Sequence, residues 1–411
     1  MMLTAFTPRY TCTDLYKLTM KQAVWSNYPN AQVEYRFYNR DRGVDLLPYR
    51  DKIEEKIAEL HGLGPTIGEI ECLRALGFMK AAFLDELLQF KLNTNYVSLE
   101  ERDGALEVFV RGPWYQTIDF EVPLLAIINE VYFEDKITDE VIAEGDRRIS
   151  QKIELLKSIR EEELGQEIAF LGMPLPTHPK RYPFELLEFG TRRALSRAWH
   201  AHVVERFAEE SPSGMMIGTS NVWAACENGI KPQGTMAHEF IMAHQAFVPL
   251  HLSQRAAFDC WMHEYRGKLG IALSDTLGTK TFLRDFDLLL AESFAGARQD
   301  SGDPYEWGEA IIKHYESLGI NPSNKFGVFT NSLTIAEARE IWRAFGGRLR
   351  TRFGIGTHLS NDVGLKPLNV VMKMVKCNGI PLIKISDDEG KITCEDPKLT
   401  EWAKHLLFEV L

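Results

Sequence analysis

The sequence predicts an α/β fold built on a parallel sheet, and the clearest sign is a unit that repeats from about residue 137 onward. Each unit consists of a short apolar strand, a polar turn and an amphipathic helix. Strands and helices that alternate at this spacing are typical of βα units. The second sign is size, because 411 residues, 45% of them hydrophobic, can bury a large core without disulfide or metal support.

Five such units can be placed along the chain. Their strands are predicted at 184–189, 214–217, 271–273, 325–329 and 350–353, each followed by a turn rich in Gly, Ser, Thr, Asn or Asp. Five units favour a (β/α) barrel over an open sheet, although spacing alone does not close the barrel. The turns after barrel strands collect on one face, where active sites lie and helix N-termini attract phosphate. The sequence therefore favours a phosphorylated substrate.

The part of the chain before this repeat predicts an α+β domain. An alternating stretch at 33–38 predicts a strand, 51–62 and 79–90 have helical periodicity, and 97–101 with 106–111 predict a hairpin. We therefore divide the chain into an N-terminal domain, a barrel and a C-terminal segment that folds back onto the N-terminal domain, at 1–136, 137–369 and 370–411.

Charge and cysteine usage exclude several classes of protein. The net charge of −11 argues against nucleic-acid binding, which needs a basic surface. No apolar run approaches ~18 residues and the N-terminus lacks a basic and apolar leader, so we expect neither a membrane span nor a signal peptide. The cysteines form no CxxC pair, which indicates reduced thiols in a cytoplasmic enzyme: Cys12, Cys72, Cys226, Cys260, Cys377 and Cys394.

Two turns are candidate phosphate sites. In the turn at 354–362, Gly354 and Gly356 let the backbone approach an anion and Thr357 adds a hydroxyl, although the same glycines suit a tight connector. In the turn at 296–304, Arg298 can bind phosphate through two N–H groups. Asp300 and Asp303 there can accept from sugar hydroxyls or hold Mg²⁺ through water. The simpler interpretation, Asp303 as N-cap before Pro304, does not account for Arg298 and Asp300.

His238 and the pair Phe189 and Arg192 are further candidates. Met242 rules out an HExxH zinc site, but His238 follows a turn and can act as nucleophile or acid–base, with Glu239 available to orient it. Arg192 lies in the first turn of a predicted helix, where the helix dipole disfavours a cation and an anionic partner is needed. A planar carboxylated ring stacked on Phe189 satisfies both residues. The alternatives are an ordinary helix histidine, a core Phe and a solvated Arg.

Taken together, these and other motifs resemble the nicotinate phosphoribosyltransferase family. They are TDLYKLTM at 13–20, EFGTRR at 188–193, GTSN at 218–221, GTMAHEF at 234–240, SDT at 274–276, DSGDP at 300–304, FTNSLT at 329–334 and FGIGTHLSND at 353–362. The resemblance runs from residue 13 to 388. It implies the specific function, which composition and spacing do not show.

The resemblance implies a type II phosphoribosyltransferase, an irregular α/β barrel with an α+β N-terminal domain that the C-terminal segment completes. The implied reaction joins nicotinate to phosphoribosyl pyrophosphate, giving nicotinate mononucleotide and pyrophosphate in NAD biosynthesis. Family members couple the reaction to ATP hydrolysis through a phosphohistidine. ATP is then a co-substrate and Mg²⁺ a cofactor, with no residue assigned as a metal ligand. The expected assembly is a cytoplasmic homodimer with a shared active site.

The resemblance also implies roles for the matching residues. His238 is the phosphohistidine, and Asp275 and Asp300 act in catalysis by contacting base and ribose. Tyr16 of the neighbouring subunit and Phe189 sandwich the pyridine ring. Arg192 binds the nicotinate carboxylate, and Arg298 binds phosphates. The 5′-phosphate is held by Gly354, Gly356 and Thr357. The further substrate-binding residues are Thr219, Ser220, Thr235 and Thr330.

Position 220 bears on the choice of pyridine. Relatives that use nicotinamide have an acid where this chain has Ser220. A carboxylate there accepts a hydrogen bond from an amide and repels a carboxylate, so neutral Ser220 beside Arg192 favours nicotinate.

Three other functions stay open. The first is a nicotinamide phosphoribosyltransferase. The second is a phosphosugar aldolase or isomerase, for which Lys280 and Lys384 are the nearest Schiff-base candidates, although both have surface or ion-pair interpretations. The third is a non-catalytic binding protein, which the intact His238, Arg298 and Asp300 argue against.

Overall fold

The computed structural model of this chain describes residues 7–41, 43–172 and 181–410 and contains two β-sheets. Residues 1–6 of the predicted N-terminal domain lie outside the described residues. The strands in chain order are β1 Gln32–Asn39, β2 Val97–Arg102, β3 Ala105–Pro113, β4 Glu185–Glu188, β5 Met216–Thr219, β6 Ile271–Leu273, β7 Gly296–Gln299, β8 Phe326–Phe329, β9 Arg350–Ile355, β10 Val370–Cys377 and β11 Ile380–Pro381.

Helices pack around both sheets. In chain order they are α1 Leu15–Asn27, α2 Arg50–Ala58, α3 Ile67–Ala75, α4 Ala81–Gln89, α5 Trp114–Thr117, α6 Glu121–Phe133, α7 Asp139–Gly172, α8 Arg197–Glu210, α9 Val222–Glu227, α10 His238–Ala243, α11 Leu250–Tyr265, α12 Thr279–Asp285, α13 Leu288–Ser293, α14 Pro304–Ser317, α15 Ile335–Phe345, α16 Thr357–Ser360 and α17 Pro397–His405. Within the described ranges, no helix has the length and apolar character needed to cross a bilayer.

The larger sheet is parallel, with strand order β5-β4-β9-β8-β7-β6, and it confirms the predicted α/β class. Side chains at the strand exits cap the helices that follow. Asn221 accepts from the N–H of Ala224 at the start of α9, and Asp303 caps α14 before Pro304. The N-cap interpretation of Asp303 is therefore confirmed.

The parallel sheet is not closed into a barrel by strand pairing, since its edge strands β5 and β6 have no described bond to each other. The segment 232–235 fills the gap between them. On one side, the N–H of Gln233 donates to the carbonyl of Thr219 on β5 at 2.8 Å. On the other, the Thr235 hydroxyl donates to the carbonyl of Ile271 on β6 at 3.1 Å. This irregular closure places His238 directly after the gap.

The smaller sheet is antiparallel, with strand order β11-β10-β1-β3-β2. Its β10 pairs with β1, from Val33 opposite Cys377 to Asn39 opposite Val370, so the C-terminal segment completes the N-terminal domain as predicted. The chain after β11 instead packs against the barrel and forms a second small core with Leu277. The boundaries of the three predicted domains stay a prediction.

One expectation about the cysteines is wrong. A disulfide joins Cys72 on α3 to Cys226 on α9, with their Cα atoms 6.5 Å apart, whereas the sequence indicated reduced thiols throughout. The two residues are 154 positions apart and meet only where the N-terminal domain packs on the barrel. Isolated cysteines without a CxxC pattern gave no sign of this contact.

Candidate active site

A cavity of about 420 Å³ lies between the carboxyl ends of the parallel strands and the antiparallel sheet. Its volume is in the range of small-molecule sites. The predicted site residues that line it are Tyr16, Phe189, Arg192, His238, Arg298, Asp300, Thr330, Gly354, Gly356 and Thr357. The turns after several different strands therefore converge here, as barrel geometry predicts.

One end of the cavity carries an aromatic pair and a guanidinium group, and we call it the pyridine end. It is formed by Tyr16, Phe189 and Arg192. The guanidinium carbon of Arg192 lies 5.9 Å from the centre of the Tyr16 ring. Its Nη1 donates to Glu121 at 2.9 Å, and its Nε lies 3.8 Å from Asp14. The anionic partner that the sequence required for Arg192 is thus partly supplied by the protein itself.

A fully buried carboxylate fixes the turn that carries Phe189 and Arg192. Glu188 accepts from the N–H of Gly190 and from the Thr219 hydroxyl, both at 2.5 Å. Its Oε2 lies 3.0 Å from Nε2 of His200. Burial opposes protonation of His200, but Glu188 outweighs it and raises the pKa of the imidazole. The ion pair between Glu188 and His200 therefore stabilises the turn that carries Phe189 and Arg192.

Tyr16 reaches the cavity from its own chain. It lies on α1, is 8% exposed, and lines the same cavity wall as Arg192. This differs from the expectation that Tyr16 comes from a neighbouring subunit. The reason is that α1 packs on the barrel of the same chain, where the Thr19 hydroxyl donates to the carbonyl of Thr235 at 2.6 Å. The expected homodimer stays a prediction.

His238 begins α10 at the middle of the cavity and is oriented by Asp275. Its Nε2 lies 2.9 Å from Oδ1 of Asp275 and 3.7 Å from Oδ2 of Asp300. Glu239, which the sequence offered as the orienting acid, binds Lys17 instead. Because α10 starts at His238, successive side chains point to different sides of the helix.

The charge around His238 keeps its imidazole neutral. Burial, and then the nearby Lys384, lower the pKa of His238 below its ordinary value. Burial opposes ionisation of Asp275, yet His238 and Lys384 hold the pKa of that carboxyl well below its usual range. Among the described residues Nδ1 of His238 has no hydrogen-bond partner, so a neutral ring with Nε2–H bonded to Asp275 leaves a lone pair on Nδ1.

Lys384 lies 3.0 Å from Oδ2 of Asp275 and is 6% exposed, which confirms its ion-pair interpretation. Lys280 is directed elsewhere, with Nζ 3.4 Å from the carbonyl of Phe408. Neither lysine has the isolated environment of a Schiff-base nucleophile, which disfavours the aldolase alternative.

Another part of the cavity wall is rich in cations, and we call it the phosphate end. It borders the pyridine end, since the guanidinium carbon of Arg298 lies 5.9 Å from the centre of the Phe189 ring. Arg298 donates to the Thr330 hydroxyl at 3.0 Å and to Asp300 at 2.9 Å. Burial opposes ionisation of Asp300, but Arg298 lowers its pKa to about 2. Asp300 is therefore ionised at every physiological pH.

Sequence reasoning missed three further cations at this end. Arg40, Arg193 and Lys373 line the cavity, and within the described ranges none forms an ion pair with a carboxylate. Burial lowers the pKa of Lys373 to about 7 and, with Arg192 nearby, that of Arg193 to about 10. Desolvated cations without a carboxylate partner mark a site for an anion. The available signal was Lys373 itself, a lysine inside the apolar stretch 370–375.

Gly354 serves the packing of Phe189 as well as the cavity. A Cβ at position 354 would come within 2.5 Å of the Phe189 ring and 2.7 Å of Thr330. The tight-connector interpretation therefore explains this glycine. Gly356 and Thr357 follow it at the start of α16 and line the phosphate end.

Three predicted substrate-binding residues do not line the cavity. Thr219 donates to Glu188, and Thr235 donates to the carbonyl of Ile271. Ser220 donates to Oδ1 of Asp14 at 2.7 Å. These hydroxyls brace the wall rather than face a ligand, which differs from the expectation. The contact between Ser220 and Asp14 also places a carboxylate beside Ser220, where the sequence predicted a neutral environment.

The carboxylates here fit a magnesium ion that arrives with a phosphate ligand. His238, Asp275 and Asp300 offer ligand atoms within 4.8 Å of one another. Both oxygens of Asp275 are occupied by His238, Lys384 and Ser301. Oδ2 of Asp300 is the open position. One carboxylate oxygen is too few ligands for a site made only of protein groups, but it is typical of Mg²⁺ that keeps water and phosphate ligands.

Comparison with known proteins agrees with this geometry. A sequence profile of the nicotinate phosphoribosyltransferase (NAPRTase) family matches residues 184–409, and one of the NAPRTase N-terminal domain matches residues 11–129. Among relatives named nicotinate phosphoribosyltransferase, one from Verminephrobacter eiseniae is 43% identical over 96% of both chains. Another, from Cupriavidus necator, is 44% identical over 95% of both chains.

Solved structures give the same result. A nicotinate phosphoribosyltransferase crystal structure from Vibrio cholerae matches with a TM-score of 0.87 and 33% identity, covering 97% of this chain and 93% of that chain. One from Porphyromonas gingivalis matches with a TM-score of 0.87 and 30% identity, covering 98% and 100%. The chain is therefore an enzyme of the nicotinate phosphoribosyltransferase family.

Proposed function

We propose that this enzyme transfers phosphoribosyl from phosphoribosyl pyrophosphate to nicotinate, giving nicotinate mononucleotide and pyrophosphate for NAD synthesis. The transfer is coupled to ATP hydrolysis through a phosphohistidine at His238. The observation that carries the proposal is one cavity that combines an aromatic pair with a guanidinium group, cations without carboxylate partners among the described residues, and a neutral histidine. A cytoplasmic location and a homodimeric assembly belong to the same proposal.

In the transfer step, the nicotinate ring nitrogen forms a bond to the ribose C1 while the bond from C1 to the pyrophosphate oxygen breaks. Tyr16 and Phe189 hold the ring, and Arg192 holds its carboxylate, so the nitrogen is positioned toward the ribose. The leaving pyrophosphate gains charge as the bond breaks. The further cations of the phosphate end are placed to stabilise it. Mg²⁺ anchored at Asp300 would neutralise phosphate charge.

In the ATP-dependent step, Nδ1 of His238 attacks the γ-phosphorus and ADP leaves. The lowered pKa of His238 keeps this nitrogen unprotonated near neutral pH. Asp275 accepts from Nε2–H and stabilises the ring as it becomes positively charged. A phosphoryl group there places negative charge beside Asp275, Asp300 and Lys384. This local change can reorganise the cationic wall around the second substrate.

The experiment measures nicotinate mononucleotide from nicotinate, phosphoribosyl pyrophosphate and Mg²⁺, with and without ATP. Wild type is compared with His238→Ala and with His263→Ala, an exposed histidine on α11 that serves as a matched control. We expect ATP to raise product formation in wild type and His263→Ala only. Labelled γ-phosphate should be retained by wild type and not by His238→Ala.

Each other outcome has a defined meaning. Equal ATP stimulation in His238→Ala would keep the transferase and discard the phosphohistidine. Product from nicotinamide and none from nicotinate would replace the proposed substrate. No product from either pyridine would support the non-catalytic alternative.

A further inference from the structure

A row of alternating charges runs through the pyridine end, and we call it the charge row. It consists of Asp14, Arg192, Glu121, Lys17 and Glu239, in that spatial order. Arg192 lies 3.8 Å from Asp14 and 2.9 Å from Glu121. Lys17 lies 2.5 Å from Glu121 and also contacts Glu239. Each cation therefore bridges two carboxylates, and the row begins and ends with a carboxylate.

The charge row has more acidic than basic groups before any substrate binds. With every group ionised, three carboxylates face two cations. Lys17 is fully buried and the carboxylates of Asp14, Glu121 and Glu239 are at most 8% exposed, so water screens this charge poorly. A nicotinate carboxylate bound to Arg192 would raise the excess to two. In a poorly hydrated site, taking up one proton is the less costly state.

Asp14 is the carboxyl best placed to receive that proton. Its Oδ2 faces Nε of Arg192 from behind the cavity wall, while Oδ1 is held by Ser220. Glu121 has a cation on each side, which holds its pKa low despite burial. Burial also raises the pKa of Glu239, but Glu239 contacts Lys17 and lies at the far end of the row from Arg192. Burial raises the pKa of Asp14, whose only cationic neighbour at this range among the described residues is Arg192.

The groups that face Asp14 from the surrounding elements support this assignment. Titratable and charged groups near its carboxyl are Arg192, Glu188, His200, Tyr16 and Cys12. Glu188 and His200 form an ion pair with each other, and burial raises the pKa of Tyr16 and Cys12, so both stay neutral. Arg192 is thus the cation that nicotinate and Asp14 would share.

We propose that Asp14 takes up a proton from solvent when a pyridine carboxylate binds Arg192, so that the substrate carboxylate replaces Asp14 as an anionic partner of Arg192. This inference rests on the proposed function, in which nicotinate binds Arg192. It makes Asp14 a specificity residue. The protonated acid leaves Arg192 free to pair with the carboxylate of nicotinate, whereas the ionised form keeps Arg192 neutralised, which suits the uncharged amide of nicotinamide. The choice between nicotinate and nicotinamide then depends on Asp14 as well as on the neutral side chain of Ser220.

The proposal predicts how selectivity changes with pH. Asp14 ionises as pH rises through its pKa, so nicotinate binding above that pKa must draw one proton from solvent. Its Kd should rise about tenfold per pH unit. Nicotinamide needs no proton. The ratio of kcat/KM for nicotinate over nicotinamide should therefore fall with rising pH.

The test is calorimetric titration of the full-length protein with nicotinate at pH 7.5, in buffers with different ionisation enthalpies. Wild type should take up close to one proton per nicotinate bound. In Asp14→Asn, the side chain at this position is neutral at every pH, so nicotinate should bind with no proton uptake and a pH-independent Kd. Asp396→Asn, a matched change at the exposed N-cap of α17, should behave as wild type.

The outcomes separate this inference from the proposed function. Nicotinate that binds wild type without proton uptake overturns the role of Asp14, as does equal uptake in wild type and Asp14→Asn. Absence of nicotinate binding or turnover in wild type overturns the proposed function itself, and with it this inference. If Asp14→Asn does not fold, the proton uptake and the pH dependence of selectivity in wild type decide the question.

Discussion

The two ends of the cavity treat charge in opposite ways. At the pyridine end, Arg192 is shared between Asp14 and Glu121 before substrate arrives. At the phosphate end, three cations have no carboxylate partner among the described residues: Arg40, Arg193 and Lys373. A saturated cation binds a monoanion selectively but weakly, whereas cations without a counter-charge bind a polyanion strongly. The difference teaches that selectivity and affinity are built separately in this site.

The largest expected effect comes from removing the shared cation. Arg192→Ala removes the cation that Glu121 and Asp14 share, and it should lower kcat/KM for nicotinate by about 30-fold or more, from a loss of about 2–5 kcal/mol. The KM for phosphoribosyl pyrophosphate should change less, because Asp14 and Glu121 already neutralise Arg192, whereas Arg40, Arg193 and Lys373 have no carboxylate partner among the described residues. Steady-state kinetics with each substrate varied measures both. Arg255→Ala, a change on the outer face of α11, is the control, and an equal rise in both KM values would contradict the comparison.

The next effect concerns the phosphate end and its pH dependence. Lys373→Met should raise the KM for phosphoribosyl pyrophosphate about 10–100-fold, since a charge-assisted hydrogen bond contributes about 1.5–3 kcal/mol. Because burial lowers the pKa of Lys373 to about 7, the free enzyme loses this cation as pH rises above 7. Wild type should therefore bind phosphoribosyl pyrophosphate more weakly at about pH 8.5 than at about pH 6.5.

Lys373→Arg keeps its charge and should remove that pH dependence. Equal pH profiles for wild type and Lys373→Arg would show that another group titrates. Either result can be read from KM values measured between about pH 6 and pH 9.

A smaller effect tests the ion pair beneath the pyridine end. Glu188 raises the pKa of His200 above 6.5, so the pair stabilises the fold fully below pH 6.5, and the contribution is lost as pH rises through the raised pKa. The unfolding free energy of wild type minus that of His200→Gln should therefore fall over this pH range, by at most about 1.4 kcal/mol for each pH unit. Urea denaturation at several pH values measures it. A difference independent of pH would mean that the pair is uncharged.

The last prediction is that dilution of the enzyme has no effect on its specific activity. Tyr16 lines the cavity of its own chain, so one subunit supplies both aromatic residues of the pyridine end. Specific activity should stay constant on dilution, even where sedimentation shows monomers. A loss of activity that follows dissociation would restore the shared site that the sequence implied.

The sequence predicted the parts of the site that follow strands of one sheet. Phe189, Arg298 and Thr330 come at strand exits, and parallel topology brings such exits together without further information. It could not predict the cations that come from β1 and β10, because their meeting depends on a pairing between opposite ends of the chain. Nor could it choose Asp275 over Glu239 as the partner of the histidine that begins α10, since the direction of that helix decides which side chain faces the cavity.

The fold, like the site, has parts that local sequence predicts and parts that depend on distant contacts. Strand–turn–helix units are local in sequence and were predicted, whereas the gap between β5 and β6 is not visible in any pattern. Thr219, Ser220 and Thr235 carry the residue types of a binding turn. The bonds that occupy their hydroxyls come from residues of other elements, namely Glu188, Asp14 and Ile271.

The pairing of β10 with β1 also has a consequence during protein synthesis. After the ribosome has made β1, more than 300 further residues must be added before its partner emerges. At about 10 residues per second this takes roughly half a minute. Throughout that time the nascent chain carries an open strand edge, the kind that invites pairing between molecules. Glu34 and Arg36 on β1 place charges along that edge. Charged side chains on an open edge disfavour pairing between molecules, so they protect the nascent chain until β10 has been made.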